Sequence, residues 1–74
     1  MKISHSEKFA ELATKRVNKA LKDIKLIGNL SNRSNYQYTD DQVKKIMKAL
    51  KDAVRDCENR YAKGGHEDEE EFKL

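Results

Sequence analysis

The sequence has no proline or tryptophan, one cysteine and only three glycines among its 74 residues. A single cysteine excludes a disulfide framework and a cysteine-rich zinc site, and it favours a reducing compartment. The scarcity of proline and glycine excludes collagen-like proteins and low-complexity linkers. No apolar run approaches the roughly 20 residues that cross a bilayer, and no signal-peptide pattern is present. We therefore expect a small cytoplasmic protein.

Charged side chains are abundant instead, at 39% of the residues against 36% hydrophobic. The net charge of +3 is unevenly distributed: residues 1–63 carry fifteen basic and eight acidic side chains, and residues 64–74 carry one basic and five acidic. This pattern predicts one domain over residues 1–63 and a disordered acidic tail over residues 64–74. The tail is either a solubilising extension or a segment that folds back on the basic domain and competes with an anionic ligand.

The first predicted helix covers about residues 5–28. Ser4-x-x-Glu7 fits a capping box, and Gly28 is placed to end the helix in a left-handed conformation. Apolar residues recur between them at steps of three and four, which places them on one stripe of a helix. This stripe comprises Phe9, Ala13, Val17, Ala20, Ile24 and Ile27, and Ala10 and Leu21 widen it.

The second predicted helix covers about residues 40–62. Thr39-x-x-Gln42 is another capping box, and Tyr38 can pack against Val43 as a hydrophobic staple. A longer apolar stripe follows and fades just before Gly64. It comprises Val43, Ile46, Met47, Leu50, Ala53, Val54, Cys57 and Tyr61.

The two helices predict an all-α protein, a two-helix antiparallel hairpin. Each apolar stripe is more than about 100° wide, so one partner helix cannot cover it. We therefore expect a homo-oligomeric helical bundle, most economically a dimer of four helices. Leu12 and Leu26 lie on the opposite side of the first helix. They are either ordinary exposed leucines or a second contact surface that suits a ring or tetramer.

The loop of residues 29–38 is the candidate functional site. It is longer than most connections between antiparallel helices and is rich in amides and hydroxyls, with one arginine and two tyrosines. Amides and hydroxyls can read a base or ribose, arginine can bind a phosphate, and a tyrosine ring can stack on a base. The predicted ligand-binding residues are Asn29, Ser31, Asn32, Arg33, Ser34, Asn35 and Tyr36, with Lys25 and Lys44 adding positive potential.

The same loop residues also permit a purely structural interpretation. Asn and Ser side chains bond the local backbone in tight turns, which would give the loop its shape without any ligand. Leu30 is expected to pack at the end of the hairpin core, and Tyr38 is the tyrosine more suited to packing.

No catalytic or metal-binding pattern is present in the sequence. His5, at the start of the first helix, and His66, in the acidic tail, form no recognisable catalytic pair with a Cys or Ser, and Cys57 falls on the apolar stripe, where a thiol usually packs. His66 and the acidic residues beside it match no defined metal spacing. We expect a protein without enzymatic activity, metal or cofactor.

Three segments carry a resemblance to known proteins: residues 16–22, residues 38–39 and Ile27-Gly28-Asn29-Leu30-Ser31-Asn32-Arg33-Ser34-Asn35-Tyr36. Over about 45 residues the sequence resembles short helical-hairpin proteins encoded by phages and mobile elements, which implies a bacterial host cell. Size and architecture are similar to the RNA-binding hairpin Rop and to the phage proteins that oligomerise and sequester cyclic nucleotides. These likenesses concern shape, and shape does not determine function.

Three functions are compatible with these features. The first is an oligomer that sequesters an anionic nucleotide-derived ligand through the loop, as an anti-defence sponge or inhibitor. The second is a nucleic-acid-binding hairpin, for which the first helix offers a basic face diluted by Glu11 and Asp23. The third is a protein-binding inhibitor or adaptor whose acidic tail mimics nucleic acid. The basic face comprises Lys8, Lys15, Arg16, Lys19, Lys22 and Lys25.

Overall fold

The computed structural model describes residues 4–64 of the chain, and within that range it contains two α-helices and no strand. Helix α1 spans His5–Asn29 and helix α2 spans Asp40–Ala62. The predicted all-α class is therefore confirmed. The chain divides between Gln37 and Tyr38 into two units, one for each helix, and each is described by itself.

Helix α1 begins at the predicted cap. Ser4 has an extended backbone, and its Oγ accepts a hydrogen bond from the Glu7 backbone N–H at 3.1 Å. This bond satisfies one of the amide groups that the first turn of a helix leaves without a partner. Of the two hydrogen bonds in a capping box, it is the one that the side chain of the cap residue accepts.

The end of α1 differs from the sequence-based prediction. Gly28 does not adopt a left-handed conformation, and the helix continues through it to Asn29. Leu30 is the C-cap, with a right-handed φ of −71°, and its N–H donates to the Ile27 carbonyl at 3.1 Å. The Ser31 N–H donates to the Gly28 carbonyl at 3.0 Å. Each of these bonds spans three residues, as in a 3₁₀ turn, instead of the four of an α-helix. They satisfy two of the last carbonyl groups of α1, so no left-handed glycine is required there.

Helix α2 has a complete capping box, as predicted. The Gln42 N–H donates to Thr39 Oγ1 at 3.1 Å, and the Thr39 N–H donates to Gln42 Oε1 at 2.8 Å. Tyr38 and Val43 are both half-buried, which is consistent with the predicted staple. The start of α2 is therefore determined by local side chains alone.

The end of α2 supplies the left-handed glycine that α1 lacks. The Lys63 N–H donates to the Asn59 carbonyl at 3.1 Å, and Gly64 follows with a φ of +68°. Only a residue without a Cβ adopts this conformation at little cost. The predicted acidic tail beyond Gly64 lies outside the described residues.

The apolar stripe of each helix, taken by itself, is accessible. No residue between 4 and 64 is fully buried, and Val17 and Val54 are 53% and 55% exposed. Leu30 is half-exposed and Cys57 is exposed. The packing expected for these two residues depends on contacts between helices and stays a prediction.

Within the described range, neither helix combines the length and the apolar character that a membrane crossing requires.

Candidate anion-binding sites

The loop after α1 contains a hydrogen-bonded turn at residues 32–35. The Asn35 and Tyr36 N–H groups both donate to the Asn32 carbonyl, at 3.1 and 3.0 Å. The Ser34 N–H donates to Asn32 Oδ1 at 3.0 Å, which closes an Asx turn. Three consecutive backbone donors therefore converge on one asparagine, which holds the turn in a defined shape.

The conformation of the turn explains why it contains no glycine. Within the described residues, Gly64 is the only residue with a positive φ. A turn whose residues all have negative φ accepts ordinary side chains at its two central positions. Those positions hold Arg33 and Ser34.

The turn presents one cation and one aromatic ring. Arg33 occupies the first central position and is exposed, and Tyr36, just after the turn, is 48% exposed. A guanidinium can bind a phosphate through two parallel hydrogen bonds, and a half-exposed ring can stack on a base. The carboxamide oxygen of Asn32 accepts a backbone hydrogen bond, which orients the side chain, and its Nδ2 group is the part that could donate to a ligand.

The other predicted site residues fall into separate parts of the structure. Ser34 and Asn35 belong to the turn, whereas Asn29 is the last residue of α1 and Ser31 is bonded through its backbone to the end of that helix. Lys25 lies on α1, four residues before its end. The turn thus brings together Asn32, Arg33, Ser34, Asn35 and Tyr36 only. Lys44 lies on α2 and belongs to a different arrangement.

That second arrangement is a line of four cations on α2 that the sequence reasoning missed, apart from Lys44. Steps of four, three and four residues separate Lys44, Lys48, Lys51 and Arg55. Such steps place side chains within an arc of about 60° on a helix and over about 17 Å of its axis. We call these four residues the α2 cation row. The signal is present in the sequence, because these basic residues recur at the same steps of three and four residues as the apolar stripes.

A shallow groove follows the α2 cation row. Its walls are the four cations together with Val43, Met47 and Asp52. The row therefore borders the apolar stripe on one side and a carboxylate on the other.

Asp52 is the acidic member of this groove and contacts two of the cations. Its Oδ2 accepts from Lys48 Nζ at 2.8 Å, and its Oδ1 lies 3.9 Å from Arg55 Nη1. The hydrogen bond from Lys48 lowers the pKa of Asp52, with Coulomb attraction to both cations adding to it and desolvation opposing it. The same hydrogen bond raises the pKa of Lys48. Both groups therefore stay charged over a wide range of pH.

The remaining two members of the row have no such neighbour. Among residues 4–64, no carboxylate lies within ion-pair distance of Lys44 or Lys51. On α1, by contrast, Glu11 pairs with Lys15 at 3.2 Å and Asp23 pairs with Lys19 at 3.0 Å.

No three His, Cys, Asp or Glu side chains in the described part of the chain are grouped so that they could hold a metal ion.

Comparison of the sequence with protein-family models, with curated proteins and with solved structures finds no match.

Proposed function

We propose that this protein is a non-enzymatic binding protein that assembles through its apolar stripes and sequesters an anionic, nucleotide-derived ligand at the loop of residues 29–38. In this proposal the chain forms an antiparallel hairpin, and hairpins associate into a homo-oligomeric bundle. The source is a phage or mobile element, and the role is that of an anti-defence sponge or inhibitor in a bacterial cell.

The accessibility of the apolar stripes supports assembly. Phe9, Leu21 and Tyr61 are each more than half exposed in the single chain. Burial of apolar surface contributes about 25 cal/mol per Å², so a chain that leaves both stripes in water loses its main source of stability. A second copy supplies the same surface and can cover the stripes by symmetry.

The preformed turn is the observation that carries the ligand site. A loop that is already held by hydrogen bonds loses little conformational entropy when a ligand binds, so more of the contact energy appears as affinity. The backbone and side-chain oxygens of Asn32 accept the hydrogen bonds that fix the turn, while Arg33 and Tyr36 provide the contacts to phosphate and base.

Positive charge on the helices strengthens the site in the proposed hairpin. Lys25 precedes the loop on α1, and Lys44 follows it by slightly more than one turn of α2. In an antiparallel hairpin both would flank the loop, and copies meeting at their loops would add their potentials.

Native mass spectrometry of protein purified under mild conditions tests assembly and ligand together. We expect a mass of at least two chains, with a nucleotide-sized addition that is released on denaturation. Thermal shifts with ATP, cyclic AMP and cyclic di-AMP then identify the class, because a ligand at 100 times its Kd stabilises the folded state by about 2.7 kcal/mol.

Loop variants test the site itself. Arg33→Glu and Tyr36→Ala should each abolish the thermal shift while leaving the native mass unchanged. Arg16→Glu, on α1, makes the same charge reversal away from the loop and should retain the shift. Normal binding of every nucleotide by Arg33→Glu would show that the loop is only a structural turn.

A further inference from the structure

We infer that the α2 cation row is a second binding surface, which shares Lys44 with the proposed loop site, for the phosphate backbone of a nucleic acid. Its members are Lys44, Lys48, Lys51 and Arg55.

The shape of the row favours a linear polyanion over a compact ligand. Four cations extend over about 17 Å of helix axis, so a single phosphate group could approach only neighbouring members. A nucleic acid strand carries a negative charge at every nucleotide, about 3.4 Å apart along the axis of a duplex. A chain of such charges can contact the whole row at once.

The local ion pairs leave half of the row available. Lys44 and Lys51 alternate with Lys48 and Arg55, and only the latter two lie close to a carboxylate of the described residues, that of Asp52. Exposed ion pairs of this kind contribute only about 0–1 kcal/mol, so a phosphate can replace Asp52 at small cost.

The charge on the rest of α2 argues against a flat anionic membrane. The helix carries six cations and five carboxylates, so its overall charge is only +1. A helix that lies on a membrane surface displays cations across its polar face. On α2 carboxylates flank the row on both sides: at about 100° per residue, Asp40 and Glu58 lie about 20° beyond Lys51, and Asp41 lies about 20° beyond Lys48.

Helix α1 carries a row of the same width. At about 100° per residue, Lys8, Lys15, Lys19 and Lys22 fall within about 60° of its circumference, and Glu11 and Asp23 engage two of them. The surface is assigned to α2 because the groove lined by four cations lies there.

The salt dependence of binding tests the inference. Fluorescence anisotropy with a labelled duplex and a labelled single strand, both of mixed sequence, is measured between 50 and 200 mM salt. For the duplex, four phosphate contacts per chain give a slope of log K against log salt of about −3.6, which is roughly a 150-fold loss of affinity over this range, and for the single strand a slope of about −2.8, roughly a 50-fold loss. Binding to either oligonucleotide supports the inference, and the tighter of the two identifies the form.

Paired variants locate the surface. Lys48→Gln/Lys51→Gln removes two row cations and leaves Lys44 in place, and it should reduce the loss between 50 and 200 mM salt to about 12-fold. Lys8→Gln/Lys45→Gln removes the same charge elsewhere and should retain the original slope. Circular dichroism and the native mass should be unchanged in both variants.

A gain of affinity provides a check that misfolding cannot imitate. Asp52→Asn removes the carboxylate that engages Lys48 and Arg55, and it should tighten binding about two- to fivefold at each salt concentration. Arg33→Glu, which tests the loop, should leave oligonucleotide binding unchanged, so the two sites can fail separately.

Three results would overturn the inference. One is the absence of oligonucleotide binding at 50 mM salt, and another is an equal loss of affinity in the two double variants. The third is preferential binding to phosphatidylserine vesicles, which would assign the row to a membrane surface.

Discussion

The two helices are similar in length and in the width of their apolar stripes, but they differ in how their ends and their charges are arranged. α2 begins with a reciprocal capping box and ends at a left-handed glycine, whereas α1 has one cap bond at its start and right-handed residues at its end. On α2 a single carboxylate, that of Asp52, engages two cations, whereas on α1 Glu11 and Asp23 each engage one. Similar amphipathic helices can therefore offer different surfaces once their apolar sides are covered.

The apolar residues reveal a further difference. On α2 the large apolar side chains follow one stripe, but α1 also carries Leu12 and Leu26 on its other side, with exposures of 37% and 52%. Exposed leucines are common on protein surfaces and need no partner. We therefore expect α1 to have a single contact surface, as α2 does.

The largest predicted effect distinguishes the two sides of α1. Ile24→Asp should dissociate the assembly and remove most of the helical signal, because an unpaired carboxylate buried in an interface costs several kcal/mol. Leu26→Asp introduces the same charge two residues away, on the other side, and should retain both assembly and helicity. Analytical ultracentrifugation and circular dichroism measure these outcomes. Equal dissociation by both variants would establish a second contact surface on α1.

The next effect compares the helix starts. Thr39→Ala should lower the free energy of unfolding by about 1–2 kcal/mol, because it removes one bond of the box and leaves the Gln42 N–H without its acceptor. Ser4→Ala should cost about 0.5 kcal/mol, since the first turn of α1 can lose its order with little else attached.

Thermal or urea unfolding measures both values, and Thr39→Ser serves as the control that retains an acceptor oxygen. A cost for Ser4→Ala as large as that for Thr39→Ala would contradict the difference between the two caps.

The smallest effect concerns the two glycines, and its sign differs between them. A Cβ at Gly28 would meet no atom within 4 Å, and the residue is helical, so Gly28→Ala should stabilise the fold by about 0.5–1 kcal/mol. Gly64 also has open space, but its φ is +68°, so Gly64→Ala should destabilise the end of α2 by about 1 kcal/mol. Urea unfolding midpoints measure both shifts. Destabilisation by Gly28→Ala would restore the left-handed cap predicted from the sequence.

Local sequence signals predicted some features accurately and others less so. The capping box at Thr39 was predictable because each of its two bonds joins residues only three positions apart. The role of Gly28 was not, because a glycine near the end of a helix fits both the last helical turn and a left-handed cap. The bonds from Leu30 and Ser31 to the preceding turn decide between them.

The candidate site was also only partly predictable from the sequence. Residue types alone predicted that the loop could either form turns or bind a ligand, but any of its three asparagines could have accepted the hydrogen bond that closes a turn. Their side chains differ only in position, and the structure assigns the Asx turn to Asn32. Arg33 and Tyr36 remain exposed and are compatible with the proposed contacts.

The sequence by itself determined the all-α class, the two helix starts and the periodicity of the apolar stripes, because these depend on residues within one or two helical turns of each other. Only the three-dimensional structure decided where α1 ends, which asparagine closes the turn and which cations Asp52 engages. In each case several groups of the same chemistry could make the interaction, and only the donor–acceptor distance, about 3 Å for a hydrogen bond, shows which of them does.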